Sequence, residues 1–391
     1  MKLKRLLWIM IHCFIFIALC SCGSDDSAPP GKFLTKVKTI TAGWSHSVAV
    51  KEDGTVWSWG YNGAGQLGDR TMYNRLTPVQ TIGFTKINRV AGGWSHTVAL
   101  KNDGTIWAIG DNGSGQLGDG TTETRTSPVV VTGVIGILKI LSDIRVIASG
   151  WVHTVALTDD GYVMTWGNNV DGQLGNGAIG NSAVPLYVSG MSGIKEISAG
   201  WLHSVALKDD GTVWAWGNNE SGQLGNGTIT NAYFPVQVTG LSGVKSVAAG
   251  LYHTLALKED GTILAWGSNG SGELGDGTTE NRYSPVQVNH LTGIKSISAG
   301  LHRSVALKDD GTVWNWGYNG TGNLGDGTTA NKHLPIQVAG LTDVKEISSG
   351  ESHTLALKKD GTVWSWGYNL AGQLGDGTTE NRNLPVQVRR K

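Results

Sequence analysis

The chain has 391 residues, 58 of them Gly, and its 31 basic residues balance 31 acidic ones. Gly stands at about twice its usual share of roughly 7%, and each one disfavours a helix interior by roughly 1 kcal/mol relative to Ala, which excludes long helices, coiled coils and helical bundles. Sixteen Trp and a 39% apolar content exclude a disordered chain. A net charge of zero supplies no basic field for nucleic acid.

In chain order, Lys2, Lys4 and Arg5 precede an apolar run from Leu6 to Leu19. A run of that length behind positive charges reads as an export signal rather than a membrane span. The stretch Leu19-Cys20-Ser21-Cys22 resembles a bacterial lipobox, with a small residue before the Cys that is acylated. The expected organisation is a signal peptide over 1–21, a lipidated tether over 22–32 that starts at Cys22 and is polar and Pro-containing, and one repeat domain over 33–391. Release by simple signal cleavage is the alternative. Gly23, rather than Asp, follows Cys22, which favours the outer membrane of the cell envelope. Cys13, Cys20 and Cys22 all lie at or before the cleavage point, so the processed domain has no thiol for a disulfide, a zinc site or a nucleophile. Processing removes three cations and no acid, which leaves the domain slightly acidic.

Beyond the tether the chain repeats. The Gly that opens the run from Ala199 to Gly217 recurs at 43, 93, 150, 200, 250, 300 and 350. That makes seven units of 50 residues, one lengthened by seven at Val134 to Ile140. Within a unit, Ser204 to Lys208 and Thr212 to Trp216 flank Asp210-Gly211, which predicts a hairpin with a two-residue type I′ turn. Val244 to Ala248 alternates as a third strand, and Pro235 to Val238 predicts a fourth with its Pro at the strand start. Four short antiparallel strands per unit predict an all-β, seven-bladed propeller. The chain opens with a third-type strand and ends with Pro385 to Val388, so that last strand is expected to pair into the first blade and close the ring.

The pattern Gly-x-x-His-x-x-Ala-Leu, then Asp-Gly-x-Val-x-x-Trp-Gly, then Asn219 to Gly225 (Asn-x-x-Gly-Gln-Leu-Gly), resembles the regulator of chromosome condensation repeat family. The likeness covers about residues 36 to 388. Kelch and tryptophan-aspartate propellers fit less well, since neither a recurring Gly-Gly pair nor a Trp-Asp dipeptide is present. The resemblance implies a seven-bladed propeller. The family's founding member acts on a small GTPase at chromatin, which makes a guanine-nucleotide exchange regulator one reading by analogy.

A group present in every blade is explained by blade geometry, whereas one site should appear once. Gly63-x-Gly65-x-x-Gly68 matches a dinucleotide fingerprint but recurs without a following helix, so no cofactor is expected. His46, His96, His153, His203, His253 and His353 share one repeat position, with Arg303 in the sixth unit. They read as structural, and no metal site is expected. Asp209-Asp210 and its equivalents read as turn chemistry rather than a calcium loop. No nucleophile elbow or zinc-protease motif occurs, and the chain reads as a non-enzyme.

The breaks in symmetry are the candidate binding residues. Trp44, Trp94, Trp151 and Trp201 follow the repeated Gly in four successive units, where Leu251, Leu301 and Glu351 stand in the others. Arg303 breaks the His series. Val134, Ile135, Ile137, Leu138 and Ile140 form an apolar insertion that is costly to expose. These features predict an envelope-anchored binding or scaffold propeller that recognises a protein partner through one face of the ring, without nucleic acid. A carbohydrate-binding module and an inhibitor of a secreted enzyme are the alternatives.

Overall fold

A computed structural model describes residues 32–133 and 141–390. Cys22 and the insertion at Val134, Ile135, Ile137, Leu138 and Ile140 lie outside the described residues. Among those described there are seven four-stranded antiparallel sheets and no helix. Each sheet is one contiguous segment in plain sequence order. In the fourth blade the strands are Ile194–Ala199, His203–Lys208, Val213–Gly217 and Ala232–Gln237, from the axis outward. The first strands of successive blades touch around the ring, and the first blade meets the seventh.

Alternation along these strands gives each blade two apolar faces, and cores form between blades. Val205, Leu207, Val213 and Ala215 of the fourth blade pack with Val244, Val247, Ala256 and Trp266 of the fifth. Trp59, Trp166, Trp216, Trp266, Trp316 and Trp366 are fully buried in these seams. Their indole N–H groups are satisfied across the seam, as where Trp216 Nε1 donates to the Gln173 carbonyl at 2.9 Å.

The local turns differ from the sequence expectation in two ways. Lys208 N bonds Thr212 O and Gly211 N bonds Lys208 O, so the loop has three residues, and only Gly211, at φ 81°, takes the left-handed region. This is the type I turn with a Gly bulge, not the type I′ turn. Asp210 stabilises it through its side chain, accepting from Thr212 N at 2.9 Å and from Thr212 Oγ1 at 2.6 Å. Second, Pro235 sits inside its strand rather than at the start. No further strand pairs with the outermost one, and its register shifts between the partners of Ala215 and Gly217, so the missing N–H costs no ladder bond.

Ring closure also differs. The last Pro-bearing strand, Arg382–Gln387, pairs with Val363–Gly367 in its own seventh blade, and the first blade is complete with Arg75–Gln80. The residues beyond that strand reach the first blade. Arg389–Arg390 pairs with Lys32–Phe33, Leu34 N bonds the Val388 carbonyl at 3.1 Å, and Val388 and Leu34 are both buried beside Val37 and Trp59. The Pro-led strand belongs to the unit that precedes it, which leaves no strand missing at the N-terminus.

The long segment between third and fourth strands is ordered by one buried Asn per blade. Asn219 Oδ1 accepts from Leu224 N at 2.9 Å, while its Nδ2 donates to Thr228 O at 3.0 Å and Thr230 O at 3.1 Å. Its own N–H is taken by Asn231 Oδ1 at 2.9 Å.

Candidate functional site at one mouth of the ring

The turn from first to second strand brings the repeated Gly and its follower to one end of the axis in all seven blades. Gly200 is required there by close approach. A Cβ on it would lie 2.3 Å from His203 Cε1 and 2.4 Å from the Gly250 carbonyl. The followers join main chains in a ring. Trp44 N donates to Gly93 O, Trp94 N to Trp151 O, and so on to Glu351 N, which donates to Trp44 O at 3.3 Å.

Beneath this ring the His series links blade to blade. His153 Nε2 meets Ser204 Oγ at 3.0 Å, and His203 Nε2 meets Thr254 Oγ1 at 3.1 Å. All six imidazoles are fully buried. Burial pulls His46, His153 and His203 down to about 3 and His96 and His253 down to about 4, with neighbouring imidazoles adding to the effect at His46, His153 and His203. They are therefore neutral. Among the described residues no three His, Cys, Asp or Glu converge to hold a metal.

Trp44, Trp94, Trp151 and Trp201 come together above the axis. Ring centroids lie 6.4 Å apart for Trp44 and Trp94, 5.2 Å for Trp94 and Trp151, 4.7 Å for Trp151 and Trp201, and 6.2 Å for Trp44 and Trp201, which closes the set. The rings are tilted or edge-to-face and half-buried. They occupy the mouth, not the seams between blades. Among the described residues Trp151 Nε1 and Trp201 Nε1 have no hydrogen-bond partner, in contrast to the seam Trp. Together with Leu251, Leu301 and Glu351 they line a cavity of about 100 Å³.

The opposite sector of the mouth is charged. Arg303 is 1% exposed, and its guanidinium donates to the carbonyls of Glu351, Gly350 and His353. A side chain so placed holds the Glu351 turn and does not reach solvent. Burial pulls it down to about 9, so it stays charged at neutral pH. Arg303 takes the place of the sixth His, and Thr354 Oγ1, which that His would have met, has no partner. The Glu351 carboxyl is pushed up to about 8 by burial, against the pull of Arg303.

Two features of the mouth escape the sequence reading. Tyr252 joins the aromatic set, 5.0 Å from Trp201, and Glu273 pairs with His302 Nδ1 at 3.3 Å. Tyr252 and His302 share one repeat position, held by Ser, Val or Leu in the other units, and Glu273 stands where five units have Gln and one has Asn323.

A model described as the RCC1-like domain matches residues 136–391, and one for the regulator of chromosome condensation (RCC1) repeat matches 53–100 and 103–157. The chain belongs to the RCC1-like domain family. The human protein WBSCR16 is similar in structure, with a TM-score of 0.77 and 26% identity over 85% of this chain and 93% of that one. Prp20p from Saccharomyces cerevisiae, studied for its binding to Gsp1p and histones, shares the fold at a TM-score of 0.74 and 22% identity, over 91% of this chain and 87% of its own. The ultraviolet-B receptor UVR8 of Arabidopsis thaliana is 35% identical over 171 residues, 43% of this chain and 37% of that protein. The chain thus matches little more than a third of that curated relative's length.

Proposed function

We propose that this RCC1-like propeller is a non-enzymatic regulator that binds a protein partner at the Trp-lined mouth of the ring. One observation carries the reading. Four half-exposed Trp contact one another above the axis and leave two indole N–H groups unpaired, while a different set of six Trp does the packing between blades. Prp20p, with its binding to Gsp1p and histones, supports a protein as the partner. Guanine-nucleotide exchange remains the narrower analogy, and inhibition of a secreted enzyme is a special case of the same binding. A glycan fits less well, because the four rings meet edge-to-face or tilted and so form no flat platform of the breadth a sugar ring stacks on.

The proposal includes an address. Cys22 is the lipid anchor, residues 22–32 are the tether, and the propeller is held at a bacterial cell envelope, on its outer membrane. Cys22→Ser should move the chain from the membrane to the soluble fraction and abolish labelled fatty-acid incorporation.

Crosslinking capture from intact cells, with each of Trp44, Trp94, Trp151 and Trp201 changed to Ala, tests the mouth. Each variant should melt near wild type and lose the partner, with central contacts worth about 2 kcal/mol or more of affinity. Losses of about 3–5 kcal/mol of stability at all four positions, the cost of emptying a packed core, would transfer them to the fold. A second reading rests on the same ring contacts, since four coupled indoles absorb ultraviolet-B light and UVR8 is named for that. Capture that changes on ultraviolet-B irradiation of wild type, but not of the Trp variants, would select it.

A further inference from the structure

Glu351 stands where every other blade has Trp or Leu, and it is the one ionisable side chain among those lining the mouth cavity. Among the described residues its carboxyl has no hydrogen-bond or ion-pair partner, while its main chain is fixed on both sides, by Trp44 O and by Arg303 Nη1 at 2.6 Å. Arg303 does not answer the carboxylate directly, because its bonded Nη groups are directed at carbonyl oxygens. The Glu351 carboxyl is thus held in place beside indole rings, largely protonated at neutral pH while the mouth is empty and able to release that proton to water when a cation enters.

Size narrows the occupant. The hollow between the rings holds about 100 Å³ and opens outward, well under the ~300–1,000 Å³ of pockets that take whole small molecules. It admits one head group of a few heavy atoms. Chemistry narrows it further. Indole faces attract cations through the ring quadrupole, most strongly where water is excluded, and the Glu351 carboxyl, losing its proton to water as a cation enters, adds attraction of the same sign.

We infer that the mouth binds a single alkylammonium head group, presented as a free or methylated Lys side chain of the protein partner, with the cation against the Trp faces and Glu351 as its counter-ion. This inference rests on the mouth being the partner-binding surface.

The test is a Trp fluorescence titration of the whole chain with N-acetyl-lysine amide, N-acetyl-trimethyllysine amide, choline, and the neutral tert-butyl isostere of choline. A lysine probe should quench saturably and bind about tenfold or more tightly than the neutral isostere, and Glu351→Gln should weaken it by about tenfold. Equal binding of cation and isostere, or no saturable binding by any probe, overturns the inference. Choline binding more tightly than both lysine probes overturns the protein source in favour of a lipid head group. The comparison of cation with isostere needs only wild type, so it holds even if Glu351→Gln fails to fold. Partner capture that depends on the Trp, combined with no preference for the cation, removes this inference alone. Capture that ignores the Trp removes the reading beneath it.

Discussion

Ser204 Oγ donates to the Gln173 carbonyl at 2.9 Å, so toward His153 it can only accept, and the proton must sit on His153 Nε2. The same logic holds at Thr97, Thr254, Ser304 and Ser47, each of which donates to a loop carbonyl and receives a His. A second proton on any of these rings would be buried without a partner. The linkage sign follows. These His have native pKa values below the unfolded value of 6.5, so the stability they confer is complete above 6.5 and is lost as pH falls toward 3–4. Six buried His at 1.36 kcal/mol per proton per pH unit give a slope of about 8 kcal/mol per unit, against a typical stability of about 5–15 kcal/mol. The propeller should therefore unfold cooperatively near pH 5, with uptake of about six protons, as read by circular dichroism and potentiometry. A chain still folded at pH 4 would show that the rings tolerate charge.

At the scale of strands, the repeat was legible because its period is written in residues with one physical role each, such as the Gly that must clear a His ring and the Asn that wires a loop. What was not legible was which unit owns the Pro-bearing strand. A period of fifty residues looks the same wherever it is cut, and only hydrogen bonding between strands decides the cut. The Trp at 44, 94, 151 and 201 stood out as asymmetric, but their mutual contact across the axis depends on ring geometry that spacing does not encode. Arg303 shows the opposite failure. It broke the pattern as a binding residue would, and the structure buries it against carbonyls. The closing contact has its own test. Truncation after Gln387 removes buried Val388 and the pairing of Arg389–Arg390 with Lys32–Phe33. It should cost about 3 kcal/mol or more and lower the calorimetric melting temperature by several degrees. An unchanged transition would mean that blade-to-blade packing alone closes the ring.

For the molecule as a whole, seven units of nearly one sequence enclose a mouth that is not sevenfold. Blades one to four bring the indoles, blades five and six bring Leu251 and Leu301, and blade seven brings Glu351, its turn held by the buried Arg303. The fold therefore sets a uniform frame, and a few substitutions at equivalent positions determine what each sector of the rim presents.

Because every blade is one unbroken segment and Lys32 lies paired with Arg390, the ring over residues 32–390 does not depend on which blade is made first. Cyclic permutation should leave the architecture intact. Residues 390 and 32 can be joined by a short Gly-Ser linker and new ends opened at Gly240, in an exposed turn between blades where an added side chain would meet nothing within 4 Å. That permutant should keep the wild-type circular dichroism spectrum and melting transition, whereas one opened between Asn219 and Leu224, inside a loop wired through Asn219, should lose stability. Equal behaviour of the two would mean that the seams between blades, and not the continuity of each blade, carry the cooperativity of the ring.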